Sequence, residues 1–222
     1  MKQTELTVTE NKKLTENVFL MRLSGDVMPK ARPGQFINIK LDGFFLRRPI
    51  SVCDASEHEL TIIYKVVGTG TKVMSAYSAG KTLDVLTGLG NGFDVSPSGE
   101  YPLLIGGGVG VPPMYLLAKQ LIAESKQVCA ILGFNTKNEI FFEDEFKSLG
   151  VKTIVTTADG SAGVRGFVTD GMETLGNNYT YTYSCGPEPM LKAVYDKALT
   201  GGQYSFEERM GCGFGACMGC SC

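Results

Sequence analysis

Cys212, Cys217, Cys220 and Cys222 crowd into the last eleven residues, CGFGACMGCSC. The first three have C-x4-C-x2-C spacing, with which plant-type [2Fe–2S] proteins supply three thiolates ahead of a distant fourth. The intervening Gly-Phe-Gly-Ala and Met-Gly are small or flexible, so the backbone can wrap a cluster and turn N–H groups toward its sulfurs. Zinc would call for paired C-x2-C units or a nearby histidine, and the one histidine, His58, is far off in the sequence. A redox pair made of Cys217 and Cys220 would leave Cys212 and the glycines without a role. Only one residue, Ser221, separates Cys222 from Cys220. The expectation is that a fourth ligand comes from a C-terminal segment past the end of this sequence, leaving the site unfinished in this chain.

A second stretch able to do chemistry is Ile105-Gly106-Gly107-Gly108-Val109-Gly110-Val111-Pro112-Pro113, set between a strand and a helix. Glycines permit a tight turn and close approach of backbone to a pyrophosphate, and a helix start offers unpaired N–H groups. The spacing is not G-x-G-x-x-G, so a plain tight turn is the other reading. Ser184-Cys185-Gly186-Pro187 ends a later strand on the same carboxyl edge, where ligands of such sheets sit; a buried structural cysteine would also explain Cys185. A third stretch is Arg47-Arg48-Pro49-Ile50-Ser51, followed by Ile63-Tyr64-Lys65 and Gly68-Thr69-Gly70-Thr71. An arginine fork can grip phosphate, a tyrosine can stack on a flat ring, and Gly70-Thr71 at a helix start can cradle a diphosphate. A solvated arginine pair and a packed strand tyrosine are the plainer readings.

The elements that must hold these stretches fall into two rhythms. Up to about residue 97, short alternating or β-branched runs (ELTVTE, NVFLMRL, QFINIKL, ELTIIYKVV) predict an antiparallel β-barrel. One helix is predicted over 72–79, with Thr71 as N-cap and Gly80 as its stop. From Tyr101 strands and helices alternate: YPLLIGG, PPMYLLAKQLIAES, VCAILGF, a short acidic helix EIFFEDEFKSLG, VKTIVTT, a helix near 169–175, YTYSCG and EPMLKAVYDKALT. That alternation predicts a parallel sheet covered by helices. Gly201-Gly202 is read as closing it, with QYSFEERM leading into the cysteines.

The 222 residues are 43% hydrophobic with net charge -2 spread along the chain, which predicts folded domains and excludes a basic stripe for nucleic acid or anionic lipid. Tyr101 to Ala118 is uncharged but broken by prolines and glycines, so no membrane span is expected. The polar N-terminus lacks the apolar core of a signal peptide, which places the chain in the reducing cytoplasm and gives its seven cysteines work other than disulfides. His58 lies in a polar turn, Ser56-Glu57-His58-Glu59, and no general-base constellation or catalytic residue is read in this chain.

Taken together, RRPIS, IYK…GTGT, GGGVGVPP, SCGPEPML and EERMGCGFGACMGC resemble, in order and over the whole chain, the electron-transfer subunits of dihydroorotate dehydrogenase B in the ferredoxin–NADP reductase superfamily. The resemblance implies two domains, β and α/β: an FAD-binding β-barrel (1–97), an NAD-binding parallel-sheet domain (98–202) and a C-terminal [2Fe–2S] segment (203–222). It carries Arg48, Pro49, Ile50 and Ser51 to the flavin and its phosphates, with Ile63, Tyr64 and Lys65 beside them and Gly70 and Thr71 at the diphosphate turn. Gly106, Gly107, Gly108, Val109 and Gly110, with Cys185, Gly186 and Pro187, correspond to the nicotinamide nucleotide site. Cys212, Cys217 and Cys220 match cluster ligands, while Cys222 matches a non-ligand position. It further implies an FMN-containing dihydroorotate dehydrogenase catalytic subunit as partner, two plus two in a heterotetramer, passing electrons from dihydroorotate through [2Fe–2S] and FAD to NAD+ for pyrimidine biosynthesis. Rival readings are a flavin subunit of another complex, of the sulfide dehydrogenase or ferredoxin-dependent NADP oxidoreductase type, and a non-catalytic redox sensor. Asp159, after VKTIVTT, can favour NAD by repelling a 2′-phosphate or can simply form a turn with Gly160.

Overall fold

The computed structural model describes residues 1–26, 31–206 and 210–217. The chain divides into two compact units, one holding Met1–Gly92 together with the C-terminal segment, the other Phe93–Glu207.

The first unit is a closed antiparallel barrel of β1 (Lys2–Lys13), β2 (Val18–Gly25), β3 (Phe36–Ile39), β4 (Arg48–Ala55), β5 (Glu59–Lys65) and β6 (Thr82–Leu89), in the order β1-β2-β5-β4-β3-β6. Alternation drives it. Leu6 and Val8 on β1, and Leu83 and Val85 on β6, are nearly solvent-free and point inward, while their neighbours are more exposed. Pairing of β6 with β1 closes the ring and leaves no open sheet edge. Strands β4 and β6 were not marked by the sequence pattern. Arg-Arg-Pro and Thr-Gly interrupt their alternation, and neighbouring strands impose the pairing instead.

The helix expected over 72–79 is instead α1, Thr69–Ser75, with Gly68 in the N-cap position. Thr71 is therefore inside the first turn. Its Oγ1 accepts hydrogen bonds from the N–H groups of Val67 (3.0 Å) and Gly68 (3.3 Å), so the hydroxyl caps backwards rather than forwards. The far end of α1 is held by Asn11 of β1, whose Nδ2 donates to the carbonyls of Met74 and Tyr77.

The second unit is a six-stranded, wholly parallel sheet: β7 (Pro102–Gly107), β8 (Cys129–Phe134), β9 (Lys152–Thr157), β10 (Val164–Arg165), β11 (Tyr181–Gly186) and β12 (Gly202–Phe206), ordered β10-β9-β8-β7-β11-β12. Helices α2 (Val111–Ala123), α3 (Glu143–Ser148), α4 (Val168–Leu175) and α5 (Glu188–Lys197) connect the strands. Leu103, Ile105 and Ile131 of the strands pack with Val168, Met172 and Val194 of the helices. The continuous apolar runs of β7 and β8 suit strands covered on both faces. Two expectations are corrected. Gly202 opens a sixth strand, β12, rather than ending the sheet, because its backbone pairs with β11 in register from Thr182↔Gly202 to Gly186↔Phe206. The acidic helix starts only at Glu143, because Phe142 adopts a left-handed conformation (φ 65°) that stops it from growing toward Glu139. Among the described residues, no helix is long and apolar enough to cross a membrane.

Candidate functional site

In the barrel, the ladder between β4 and β5 runs over Ala55↔Leu60, Asp54↔Thr61 and Val52↔Ile62. Arg48, Pro49, Ile50 and Ser51 lie beyond it, half-buried, at the end of the barrel where β5 reaches Ile63, Tyr64 and Lys65. Pro49, which has no N–H, fits a stretch that need not donate across that gap.

The arginine pair is split by its surroundings. Arg47 is occupied structurally: Nη2 donates to both carboxylate oxygens of Asp84 at 3.0 Å, and Nη1 donates to the carbonyls of Asp84 (3.1 Å) and Asn38 (3.3 Å). The guanidinium of Arg48 lies 4.9 Å from the centre of the Phe44 ring and packs against Gly70 so closely that a Cβ there would stand 2.4 Å from its Nε. Gly70 thus makes room for a cation over the first turn of α1, next to N–H groups that no earlier helical carbonyl can satisfy. This arrangement is suited to a diphosphate. Ile63 and Tyr64 are 2% and 1% exposed, and Lys65 is exposed. Tyr64 stacks on Phe19 at 5.9 Å, and its hydroxyl donates to Asn11 Oδ1 at 3.0 Å. Its ring is therefore enclosed in protein and is not a platform for a flat ligand, contrary to the stacking expectation. It acts from beneath, through the Asn11 that secures α1. Asn11 carried no signal in the polar run ENKK.

On the resemblance's assignment of FAD to the barrel, Arg48→Ala is expected to weaken FAD binding roughly 10- to 100-fold, the scale of losing one charge-assisted hydrogen bond. Fluorescence titration of the apoprotein with FAD would measure it, and unchanged affinity would remove Arg48 from the site.

In the second unit, the strand order turns back on itself between β7 and β11, whose register ends at Cys185↔Gly106. Such a switch point opens a crevice at the carboxyl ends of the two strands. Both glycine-bearing turns emerge there. They touch: a Cβ at Gly110 would lie 2.1 Å from the Cys185 carbonyl oxygen, and one at Gly107 would lie 2.4 Å from Met190 Sδ. A short 3-10 turn over Gly108–Gly110 leads directly into α2, with Pro112 and Pro113 in its first turn, where an N–H has no intrahelical partner. Cys185 is 5% exposed. Asp159 follows β9 on the same carboxyl edge; its Oδ1 accepts from the N–H (2.9 Å) and hydroxyl (2.6 Å) of Ser161, which keep the carboxyl below its usual range. The turn reading of Asp159 is thus realised, with its charge left at the surface.

Cys212 and Cys217 face each other across the C-terminal loop. The N–H of Cys212 donates to Cys217 Sγ, and the N–H of Cys217 to Cys212 Sγ, both at 3.3 Å. Gly213 (φ 75°) and Gly215 (φ 79°) take left-handed conformations on alternate residues, curling successive N–H groups inward into a concavity of the kind that holds anions and iron–sulfur clusters. Hydrogen bonds from the backbone of Phe214, then of Cys217, pull the Cys212 thiol down to about 6, toward the thiolate that a metal needs. The thiol pair, the inward N–H groups and the glycine curl fit a cluster. Cys220 and Cys222 lie outside the described residues. His58 is exposed in its turn beside Glu57.

The sequence profile of the Oxidoreductase NAD-binding domain matches residues 104–196. The chain is 44% identical to a protein of Geobacillus sp. (strain WCH70) and 46% identical to one of Fusobacterium nucleatum subsp. nucleatum, in both cases over 100% of this chain and 90% of the relative. Both relatives are named dihydroorotate dehydrogenase B (NAD(+)), electron transfer subunit. Among solved structures, one described under NADH-dependent reduced ferredoxin-NADP oxidoreductase matches with a TM-score of 0.86 and 33% identity, covering 96% of this chain and 79% of that one. The FAD/NAD-binding domain of nitric oxide dioxygenase from Vibrio cholerae shares the fold, with a TM-score of 0.78, 22% identity and coverage of 91% and 98%.

Proposed function

The chain belongs to the family of electron transfer subunits of NAD(+)-dependent dihydroorotate dehydrogenase B, and from that membership we propose that it carries electrons released by dihydroorotate oxidation in a partner subunit through a [2Fe–2S] cluster and FAD to NAD+. It is an NAD-dependent flavin oxidoreductase subunit, and its family name implies a catalytic partner. That the partner holds FMN, that two copies of each chain assemble, and that the complex works in the cytoplasm are further parts of the proposal; thiols that must stay reduced suit that compartment.

The observation that carries the reading is the contact of the 106–110 turn with the 185–187 turn at the β7/β11 switch point, which suits a nicotinamide nucleotide bound by close backbone approach. We assign FAD to the barrel, NAD to the parallel-sheet unit, whose strand β12 carries its boundary past the expected residue 202, and the cluster to the C-terminal segment that follows. When bound, a flavin interconverts the two-electron chemistry of a nicotinamide and the one-electron chemistry of a cluster.

The chain's own residues bind and orient. Arg48 neutralises phosphate charge beside Gly70, and Thr71 Oγ1 ties the turn that presents the α1 N–H groups. Pro49, Ile50 and Ser51 offer backbone at the open end of β4, facing the stretch of β5 that carries Ile63 and Lys65. Gly106, Gly107, Gly108, Val109 and Gly110 bring the backbone against the pyrophosphate, with Cys185, Gly186 and Pro187 forming the opposite wall of that crevice. Asp159 holds a negative charge that disfavours a 2′-phosphate. Cys212 and Cys217, joined by Cys220, supply thiolates.

The test is an absorption spectrum of the full-length protein, co-expressed with the catalytic partner. Flavin bands and a broad visible cluster band, both bleached by NADH, are the expected result, together with NAD+ reduction when dihydroorotate is added. Protein purified without flavin, or unable to reduce artificial dyes with NADH, would sink the reading. Turnover with dyes but none with dihydroorotate and the partner would favour delivery to another complex, as in the relative at 33% identity.

A further inference from the structure

Asn38, in the middle of β3, is 1% exposed, a polar amide among apolar neighbours Ile37 and Ile39. Its Nδ2 donates to the carbonyl of Cys212 at 3.2 Å, 174 residues along the chain. That bond fixes the amide's orientation, since only the nitrogen can donate to a carbonyl. The other end, Oδ1, is buried with no hydrogen-bond partner among the described residues. A half-satisfied amide in a barrel wall costs stability relative to an apolar residue of the same size. Packing alone therefore does not account for Asn38.

Two further contacts give the amide its place. Across the strand pair, Asn38 stands opposite Pro49, in the segment assigned to the flavin. On the loop side, Gly213 lies so close that a Cβ there would be 2.9 Å from Asn38 Nδ2, and its φ of 75° is one that a side chain rarely tolerates. The loop is thus seated on the amide, and Gly213 permits the seating.

We propose that Asn38 is a positioning residue that docks the cysteine loop onto the β3–β4 strand pair, holding Cys212 at a set place relative to the flavin-bearing backbone and supplying a polar contact next to the cluster. The inference rests on the cluster assignment made above. Removing the donor leaves the Cys212 carbonyl unpaired and the loop undocked; it leaves the flavin's own contacts, Arg48 and Gly70, untouched.

The test uses the complex with its catalytic partner, comparing wild type, Asn38→Leu, Gly213→Ala and the double variant. Leucine keeps the amide's branched shape, is bulkier, and lacks a donor. Iron loss to a chelator is expected to run roughly tenfold faster in Asn38→Leu, the scale of leaving one carbonyl unpaired, and the paramagnetic resonance of the reduced cluster should shift. FAD content should hold, and melting temperature should be unchanged or higher. Gly213→Ala reaches the same contact from the loop without altering the barrel wall, and the double variant should lose iron no faster than the worse single variant, since both act through one contact. A folded Asn38→Leu complex whose iron loss and resonance match wild type overturns the proposal. A lowered melting temperature with unchanged cluster properties overturns it too, because that is what a packing role would give. A wild-type complex without iron defeats the cluster assignment and this inference together, whereas iron in wild type with no response at Asn38 defeats this inference alone.

Discussion

Replacing Gly110 by alanine is expected to cut NADH-dependent dye reduction by about 10²-fold, on the scale at which an ångström of misplacement disables a bound geometry. The reason is steric. Gly110 has an ordinary helical backbone (φ -79°, ψ -13°), so alanine meets no conformational penalty there. Its Cβ would instead stand 2.1 Å from the carbonyl oxygen and 2.5 Å from the carbonyl carbon of Cys185. Backbone cannot yield as the end of a side chain can, so either the start of α2 or the end of β11 must move, and the crevice between them changes shape. Gly150, between α3 and the start of β9, is the control. It has a left-handed φ of 79° and nothing within 4 Å of an added Cβ, so Gly150→Ala should lower stability by about 1 kcal/mol with a much smaller kinetic effect. FAD content should be normal in both. Steady-state kinetics with a dye acceptor decides the matter: a wild-type rate and KM in Gly110→Ala would remove the nucleotide from this crevice.

Cys212→Ser should separate the two halves of the electron path. A serine hydroxyl does not ionise as a thiol does, while the loop's N–H groups draw the Cys212 thiol down to about 6. The variant complex should lose its cluster iron, and transfer from dihydroorotate to NAD+ should fall by about 10³-fold, leaving residual leakage, because the one-electron carrier is missing. Dye reduction by NADH, which needs flavin and nucleotide alone, should stay within about twofold of wild type by the same division of labour. Cys129 supplies the contrast: burial raises its thiol to about 11, so Cys129→Ser should leave iron content unchanged. Iron analysis and the two assays run side by side check this. Parallel loss of both activities in Cys212→Ser, with folding intact, would refute a cluster lying on the partner's side of the flavin.

The features visible in the sequence were those encoded by local period or composition. The parallel sheet announced itself through LLI and AIL runs alternating with helices, and α2 through its paired prolines. Strand β4 did not, since Arg48 and Pro49 disrupt its start and only pairing with β3 makes it a strand. Strand β12 is short and begins at a glycine, and it exists because β11 offers a free edge. The glycine turns were legible one at a time. Their contact was not, because it depends on β11 inserting beside β7 after the chain has already laid down β8, β9 and β10 on the other side. Arg47 and Arg48 look alike as letters, and only Asp84, brought near by barrel closure, tells them apart. Asn38 in FINIK and Asn11 in ENKK act at contacts 174 and 63 residues away, beyond any local pattern.

Helix α1 has seven residues, well short of the roughly 12–15 at which a helix begins to persist alone in water. It is anchored by Asn11, and Asn11 is set by Tyr64. The turn assigned to the diphosphate therefore does not hold itself together but depends on the barrel strands. It must wait until β1, β2 and β5 have paired, and β1 is complete only when β6, ending at Leu89, has closed against it. On the proposed assignment, a chain stalled before β6 should therefore be a poor flavin acceptor although it already contains residues 48–71, the whole stretch assigned to the flavin.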